Sequence, residues 1–157
     1  MEKRYYLAYG SNLNIDQMKY RCPSARIIGT AEIRGYRLLF KGSKTGSYLT
    51  IEPAESRTVS VGVWEVSAKD ELALDRYEGY PSFYYKKELR LTVEGIRTHK
   101  KRSRPCFVYI MHEDRPLGIP SDYYMRVCLE GYNDFTFDRS ELLRAYHESE
   151  DEAYENE

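Results

Sequence analysis

The chain has 157 residues, of which 41% are hydrophobic and 31% charged, so it is long enough to bury one core and too apolar to be disordered. Its 24 Lys and Arg residues nearly balance its 25 Asp and Glu residues, which excludes a global positive field for nucleic acid or an anionic membrane. No segment approaches about 18 consecutive apolar residues, and residues 1–8 lack the apolar core of a secretory signal. The cysteines are widely spaced, which favours a reducing compartment, so we expect a cytoplasmic protein without a membrane span.

The first predicted element is a short strand at residues 4–9, which ends at Gly10-Ser11-Asn12 and is followed by a helix to Tyr20. Backbone N–H groups at such a turn are able to bind an anion or a polarised carbonyl, and the glycine permits close approach. Gly, Ser and Asn are also the commonest turn residues, so this pattern alone fits a plain turn as well.

The middle of the chain is predicted to be mostly strands. Five segments are rich in β-branched and aromatic residues, and most are bounded by Gly, Pro or Ser: residues 31–41, 47–52, 58–66, 84–94 and 105–111. Helices are predicted from Ser67 to Gly79, from near Ser121 and from near Asp138. Because strands and helices do not alternate strictly, we predict an α+β fold with a small mixed, mainly antiparallel sheet and peripheral helices.

The domain organisation is predicted to be simple. Residues 1–147 form a single domain, since we find neither an internal repeat nor a low-complexity linker. Residues 148–157 are mostly acidic, and we expect them to be a solvated, frayed tail.

Glu78 lies in the last turn of the predicted helix that ends at Gly79. A carboxylate there faces the negative end of the helix dipole, and Asp75 on the same face adds like-charge repulsion, so we expect a raised pKa. A glutamate with a raised pKa is suited to general acid–base catalysis near neutral pH. The alternative is an ordinary exposed glutamate before a glycine that ends a helix.

The segment 97–104 is rich in Lys and Arg, a composition typical of phosphate binding. It lies between two predicted strands and has no aromatic residue for base stacking, so we predict a solvated hairpin loop and no nucleic-acid partner. Nucleic-acid binding by this segment is the alternative. The histidines His99, His112 and His147 are isolated and no cysteine completes a zinc set, so we predict no metal site.

Four motifs together resemble the gamma-glutamylcyclotransferase-like family, also called AIG2-like. In chain order they are Tyr9-Gly-Ser-Asn-Leu13, Leu74-Asp-Arg-Tyr-Glu-Gly-Tyr-Pro-Ser-Phe-Tyr-Tyr85, Cys106-Phe-Val-Tyr109 and Pro120-Ser-Asp-Tyr-Tyr124. Four motifs in the right order are far more specific than any one of them, and the resemblance covers most of the chain. The sequence departs from the family after Gly131, where a common Gly-Leu-Pro turn is replaced by residues 132–138.

The resemblance implies a sheet partly closed as a barrel, with a pocket at one end. It also implies a reaction that needs no cofactor: the α-amine of a γ-glutamyl group attacks its own side-chain carbonyl, which leaves 5-oxoproline and a free amine. Glu78 would be the general base and acid. The implied substrate-binding residues are Tyr9, Gly10, Ser11, Asn12, Tyr85, Tyr109 and Tyr124.

The sequence does not identify the leaving group. The alternatives are an amino acid from a dipeptide, the cysteinyl-glycine of glutathione, the lysine side chain of an isopeptide, and an amine from secondary metabolism. A non-catalytic module that binds a γ-glutamyl metabolite is the alternative to an enzyme. We expect a small-molecule partner and a monomer or homodimer.

Overall fold

Five strands and four helices make up the protein, which was analysed as a computed structural model that describes residues 3–43 and 46–155. The strands are β1 (Arg4–Ala8), β2 (Arg26–Lys41), β3 (Tyr48–Val66), β4 (Tyr84–Gly95) and β5 (Lys101–Met111). The helices are α1 (Ile15–Arg21), α2 (Ala68–Glu78), α3 (Asp122–Asp134) and α4 (Arg139–Glu155), and a single 3₁₀ turn covers Ser11–Leu13.

The strands form a closed barrel in the order β1-β3-β2-β4-β5. Neighbouring strands are antiparallel except β1 and β5, which run parallel and close the barrel where Tyr6 pairs with Phe107. Alternate side chains point into the barrel, where Leu7, Val61 and Val63 are fully buried. The predicted α+β fold with a mixed, mainly antiparallel sheet is confirmed, and the barrel is closed rather than partly closed.

Three strands are several residues longer than predicted, since β2 begins at Arg26, β5 begins at Lys101 and β3 spans two predicted strands. β3 joins the segments 47–52 and 58–66, which were predicted as separate strands, into one element paired with β2 along its length. The break in the pattern coincides with a kink rather than a chain reversal: Ser56 has a φ of 65°, and the β2 partner strand shifts register between Arg34 and Tyr36. Such irregularities bend a strand without ending it.

The helix α2 begins and ends at its predicted capping residues, and α3 begins at the residue predicted to cap it. Ser67 and Asp70 form a reciprocal capping box at the start of α2, and Gly79 ends that helix in the left-handed conformation, with a φ of 64°. Ser121 caps α3 by accepting a hydrogen bond from the backbone N–H of Tyr124 at 3.2 Å. Within residues 3–43 and 46–155, no helix is both long and apolar enough to cross a membrane.

The acidic end of the chain differs from the predicted frayed tail, because α4 stays helical from residue 148 through Glu155. Glu148 and Glu152 lie on the side of the helix that faces β2 and β3, and they pair with Arg57 and Arg37 at 3.0 and 2.9 Å. Ser149, fully buried between them, accepts a hydrogen bond from a backbone N–H of β2 at 2.9 Å. The acidic residues at this end of the chain are thus paired with cationic residues that are distant in sequence. The boundary of the single domain at residue 147 stays a prediction.

Candidate active site

A pocket of about 480 Å³ opens at one end of the barrel, where β1 ends and β4 begins. Every predicted site residue except Tyr85 contributes to its wall: Tyr9, Gly10, Ser11, Asn12, Glu78, Tyr109 and Tyr124. Residues as far apart in sequence as Tyr9 and Tyr124 therefore meet around one space, which has the size of a small-ligand site.

The turn after β1 contributes Gly10, Ser11 and Asn12 to the wall of this pocket. Leu13 and Asn14 donate to the carbonyls of Gly10 and Ser11 at 3.0 Å, which closes the 3₁₀ turn. The N–H groups of Gly10, Ser11 and Asn12 have no backbone acceptor among the described residues, as expected at the start of a helical turn. Two or three donors that converge on one point make a site for a carboxylate or an oxyanion.

Side chains hold this turn in place from behind. The Asn12 side chain donates to the Tyr6 hydroxyl at 2.9 Å and accepts from Arg21. The Asn12 carbonyl accepts from the indole N–H of Trp64 at 3.0 Å, and the hydroxyls of Ser11 and Tyr77 share a hydrogen bond at 2.8 Å. Because these side chains are already engaged, the backbone is the part of the turn that remains for a ligand.

Glu78 is the last residue of α2 and forms part of the pocket wall. Desolvation raises the pKa of Glu78 to about 8, although Arg21 acts in the other direction. No donor hydrogen bonds to its carboxylate within the described residues, so the group remains available to a ligand. The expected contribution of Asp75 is absent because Asp75 is neutralised by Lys86 at 2.8 Å.

Three predicted tyrosines frame the pocket and are themselves fixed. Tyr9 donates to the carbonyl of Tyr109 at 2.7 Å, and Tyr109 donates to Asp75 at 2.6 Å. The Tyr124 hydroxyl accepts from the backbone N–H of Leu49 at 3.1 Å. Burial raises the pKa of all three phenols, so each stays protonated at neutral pH.

Tyr85 was predicted as a pocket wall, and the structure corrects this. Side chains alternate along a strand, so Tyr84 points inward and donates to the carbonyl of Leu49 at 2.7 Å, while Tyr85 points outward. Tyr85 instead donates to Glu113 at 2.5 Å and packs its ring on His112. Tyr84 takes the place in the pocket wall that Tyr85 was given.

Several pocket residues were not predicted from the sequence: Tyr6, Tyr48, Tyr77, Phe83, Tyr84, Arg76 and Tyr123. The unusual tyrosine content, 16 residues, was the available signal, because eight tyrosines line this pocket and five of them are buried or partly buried. Their positions follow from barrel register and helix docking, which composition does not encode.

The basic segment 97–104 lies outside this pocket. As predicted, its first part is the hairpin between β4 and β5, but Lys101 to Arg104 already belong to β5. No group of three His, Cys, Asp or Glu side chains among the described residues is arranged to hold a metal ion.

Fold and pocket together define a small closed-barrel protein with a pocket at one end of the barrel that contains a carboxyl group of raised pKa. The family model "Gamma-glutamyl cyclotransferase, AIG2-like" matches residues 6–126, and the chain therefore belongs to this family.

Relatives agree over most of the chain. Gamma-glutamylcyclotransferase from Homo sapiens is 29% identical over 156 residues, which cover 92% of this chain and 79% of that protein. The Bos taurus gamma-glutamylcyclotransferase is 31% identical, over 83% of this chain and 70% of that protein. A solved structure of a gamma-glutamyl cyclotransferase has a TM-score of 0.74 at 25% identity, covering 92% of this chain and 86% of that one.

Proposed function

We propose that the protein is a γ-glutamyl cyclotransferase that converts a γ-glutamyl amine into 5-oxoproline and the free amine. The observation that carries the proposal is the raised pKa of Glu78, in a pocket whose wall also includes Gly10, Ser11 and Asn12 of the turn after β1. Membership of the cyclotransferase family supports the same reaction.

Glu78 is the proposed general base and acid. Burial keeps the carboxyl group of Glu78 largely protonated at neutral pH when the site is empty. The α-ammonium group of an incoming substrate stabilises the carboxylate and lowers the pKa of Glu78 on binding. The carboxylate takes one proton from the ammonium, and the amine attacks the γ-carbonyl carbon. Glu78 then returns the proton to the leaving nitrogen as the C–N bond breaks, and the second proton lost by the amine leaves with the product, an ammonium ion at neutral pH.

The Gly10 turn is the proposed oxyanion or carboxylate site. When the new N–C bond forms, negative charge develops on the carbonyl oxygen, and the backbone N–H groups of Gly10, Ser11 and Asn12 are the available donors. In other enzymes the loss of one such donor costs on the order of 3 kcal/mol of transition-state stabilisation. No cofactor is needed, because ring closure is intramolecular and depends chiefly on conformation and proton transfer.

The tyrosines are proposed to hold the glutamyl group in a bent conformation. Tyr109 and Tyr124 supply ring surface and hydroxyl oxygens, and the hydrogen bonds that fix them leave little rotational freedom. A bent substrate places the amine near its own carbonyl, which is most of what a five-membered ring closure requires. The leaving group would then extend to the pocket mouth, where Tyr48 and Tyr123 are exposed.

The test is release of 5-oxoproline, followed by mass spectrometry, from γ-glutamyl dipeptides, glutathione, γ-glutamyl-lysine and γ-glutamyl alkylamines. The unmodified protein is compared with Glu78→Gln and with a control, Glu55→Gln, which removes an exposed carboxylate on β3. Product from the unmodified protein and the control, but not from Glu78→Gln, supports the proposal and identifies the amine. Folded protein that binds a substrate and releases no product would favour the non-catalytic module.

A cytoplasmic location remains part of this proposal.

A further inference from the structure

A second cavity, of about 800 Å³, is lined by residues of α1, β2, β3, β4, β5 and the β4–β5 hairpin, and among the described residues it shares no lining residue with the candidate active site. β4 begins at the active-site pocket with Tyr84 and reaches this cavity at Gly95, about 35 Å of extended chain later. Its volume falls within the range of about 300–1,000 Å³ that is usual for small-ligand sites.

The cavity exists because two neighbouring strands separate. β2 and β4 pair only where Gly29 meets Gly95 and Thr30 meets Glu94, and a side chain on Gly29 would collide with the Glu94 carbonyl, 2.0 Å away. Beyond this crossing β2 continues along β3, while β4 turns into the hairpin to β5. The cavity is the space between β2 and β4. Its position is set by the residues at this crossing.

The wall of the cavity is cationic and contains no carboxylate. Six basic residues contribute to it: Lys19, Arg26, Arg97, Lys100, Arg102 and Arg104. Arg26 pairs with Glu65 and Arg104 donates to the Tyr5 hydroxyl, but the other four have no ion-pair partner among the described residues. A concave surface lined by one sign of charge concentrates the field and attracts counter-ions.

The floor of the cavity is apolar. It includes Ile27, Val93 and Ile96, of which Ile96 is 45% exposed, and the single tryptophan of the chain, Trp64. An exposed isoleucine beneath a ring of cations is suited to a ligand that has both an apolar body and several negative charges.

We propose that this cavity is a binding site for a small organic phosphate that carries at least two negative charges on an apolar ring system. Guanidinium groups match phosphate oxygens in a bidentate fashion, and four of the six cations in the cavity wall are arginines, two of them, Arg97 and Arg102, without an ion-pair partner among the described residues. A compact ligand is favoured over a nucleic-acid strand because Trp64, only 4% exposed, offers no stacking platform. Because the net charge of the whole chain is close to neutral, the cluster of positive charge in this cavity is a local feature.

The first experiment titrates the full-length protein with ATP without metal ions and follows the fluorescence of Trp64 together with calorimetry. We expect saturable binding of one ATP, with tripolyphosphate and adenosine each binding about tenfold more weakly or less, because each supplies only part of the contact. Tripolyphosphate that matches ATP, or no saturable signal with ATP, overturns the proposal. A single-stranded oligonucleotide that binds with steep salt dependence while ATP does not overturns it in favour of a nucleic-acid surface.

The second experiment uses a matched pair of double variants of the same hairpin. Arg97→Gln with Arg102→Gln removes two cavity charges, whereas Arg90→Gln with Lys101→Gln removes two charges that face away from the cavity. We expect the cavity pair to weaken ATP binding about tenfold or more and the control pair to change it less than about twofold. Equal losses in both pairs overturn the proposal, since they would indicate a diffuse field. Release of 5-oxoproline is unchanged in both, so the outcome is independent of the proposed function.

Discussion

Replacing Glu78 by Gln tests both the reaction and the electrostatics of the pocket, because the two side chains have the same shape and only one ionises. We expect the variant to fold, to bind substrate, and to lose turnover about a thousandfold, the usual order for removal of a general base. The rate of 5-oxoproline release from the substrate identified in the panel gives kcat and KM. The unmodified protein should gain activity as the pH rises through about 8, since the base form then predominates.

The same substitution has a predicted effect on stability. Moving the pKa of a carboxyl group from 4.5 to about 8 corresponds to about 5 kcal/mol against its ionised form. Because Glu78 is partly exposed, water screens part of this, and we expect about 2 kcal/mol. Below the unfolded value of 4.5 the group is protonated in both states; between 4.5 and about 8 only the unfolded chain releases the proton, so the unmodified protein loses stability as the pH rises.

Urea unfolding of both proteins at about pH 5 and about pH 9 measures this difference. We expect the two free energies of unfolding to be similar at the lower pH and the Gln variant to be more stable at the higher one. A constant difference across this interval would mean that the Glu78 carboxylate is well solvated, and retained turnover in the variant would refute its role as the base.

Three further predictions concern the surroundings of the site. Gly10→Val weakens substrate binding more than stability, because its Cβ would lie 3.2 Å from the Tyr124 hydroxyl at the pocket surface; calorimetric binding and thermal unfolding separate the two effects. Asp75→Asn lowers kcat/KM about tenfold because Tyr109 loses a charged acceptor, and it has little further effect in a Tyr109→Phe background. Ser149→Ala costs about 1–3 kcal/mol of unfolding free energy in urea while kcat is unchanged, because a buried backbone N–H of β2 loses its acceptor.

Local signals in the sequence were sufficient for much of the fold. Ser67 and Gly79 mark the two ends of α2 through short-range capping chemistry, and they placed Glu78 at the helix end. The turn at Gly10 was recognisable for the same reason, since its residue types act within a few positions of one another. Closure of the barrel came from the resemblance to a family rather than from the pattern of residues.

Contacts between distant residues were beyond the reach of the sequence. Which of Tyr84 and Tyr85 faces the pocket depends on the register of β4 against β5, and a shift by one residue exchanges them. The neutralisation of Asp75 depends on Lys86, which reaches it only when α2 packs on the barrel. The acidic end of α4 looked solvated because its cationic partners lie on other strands.

The way α2 is attached to the barrel has a consequence for how the proposed base behaves over time. Leu74 is the one fully buried apolar side chain of this helix, and many of its other anchors are polar, among them its capping box, the ion pairs of Lys86 and the hydrogen bond between Tyr109 and Asp75. Segments held by few apolar contacts open locally at a lower free energy than the core. Amide hydrogens of α2 should therefore exchange with solvent sooner than those of β2 and β3, and faster still in high salt. The helix that carries the proposed base would open and close as a unit while the barrel stays intact, which gives a product a route out.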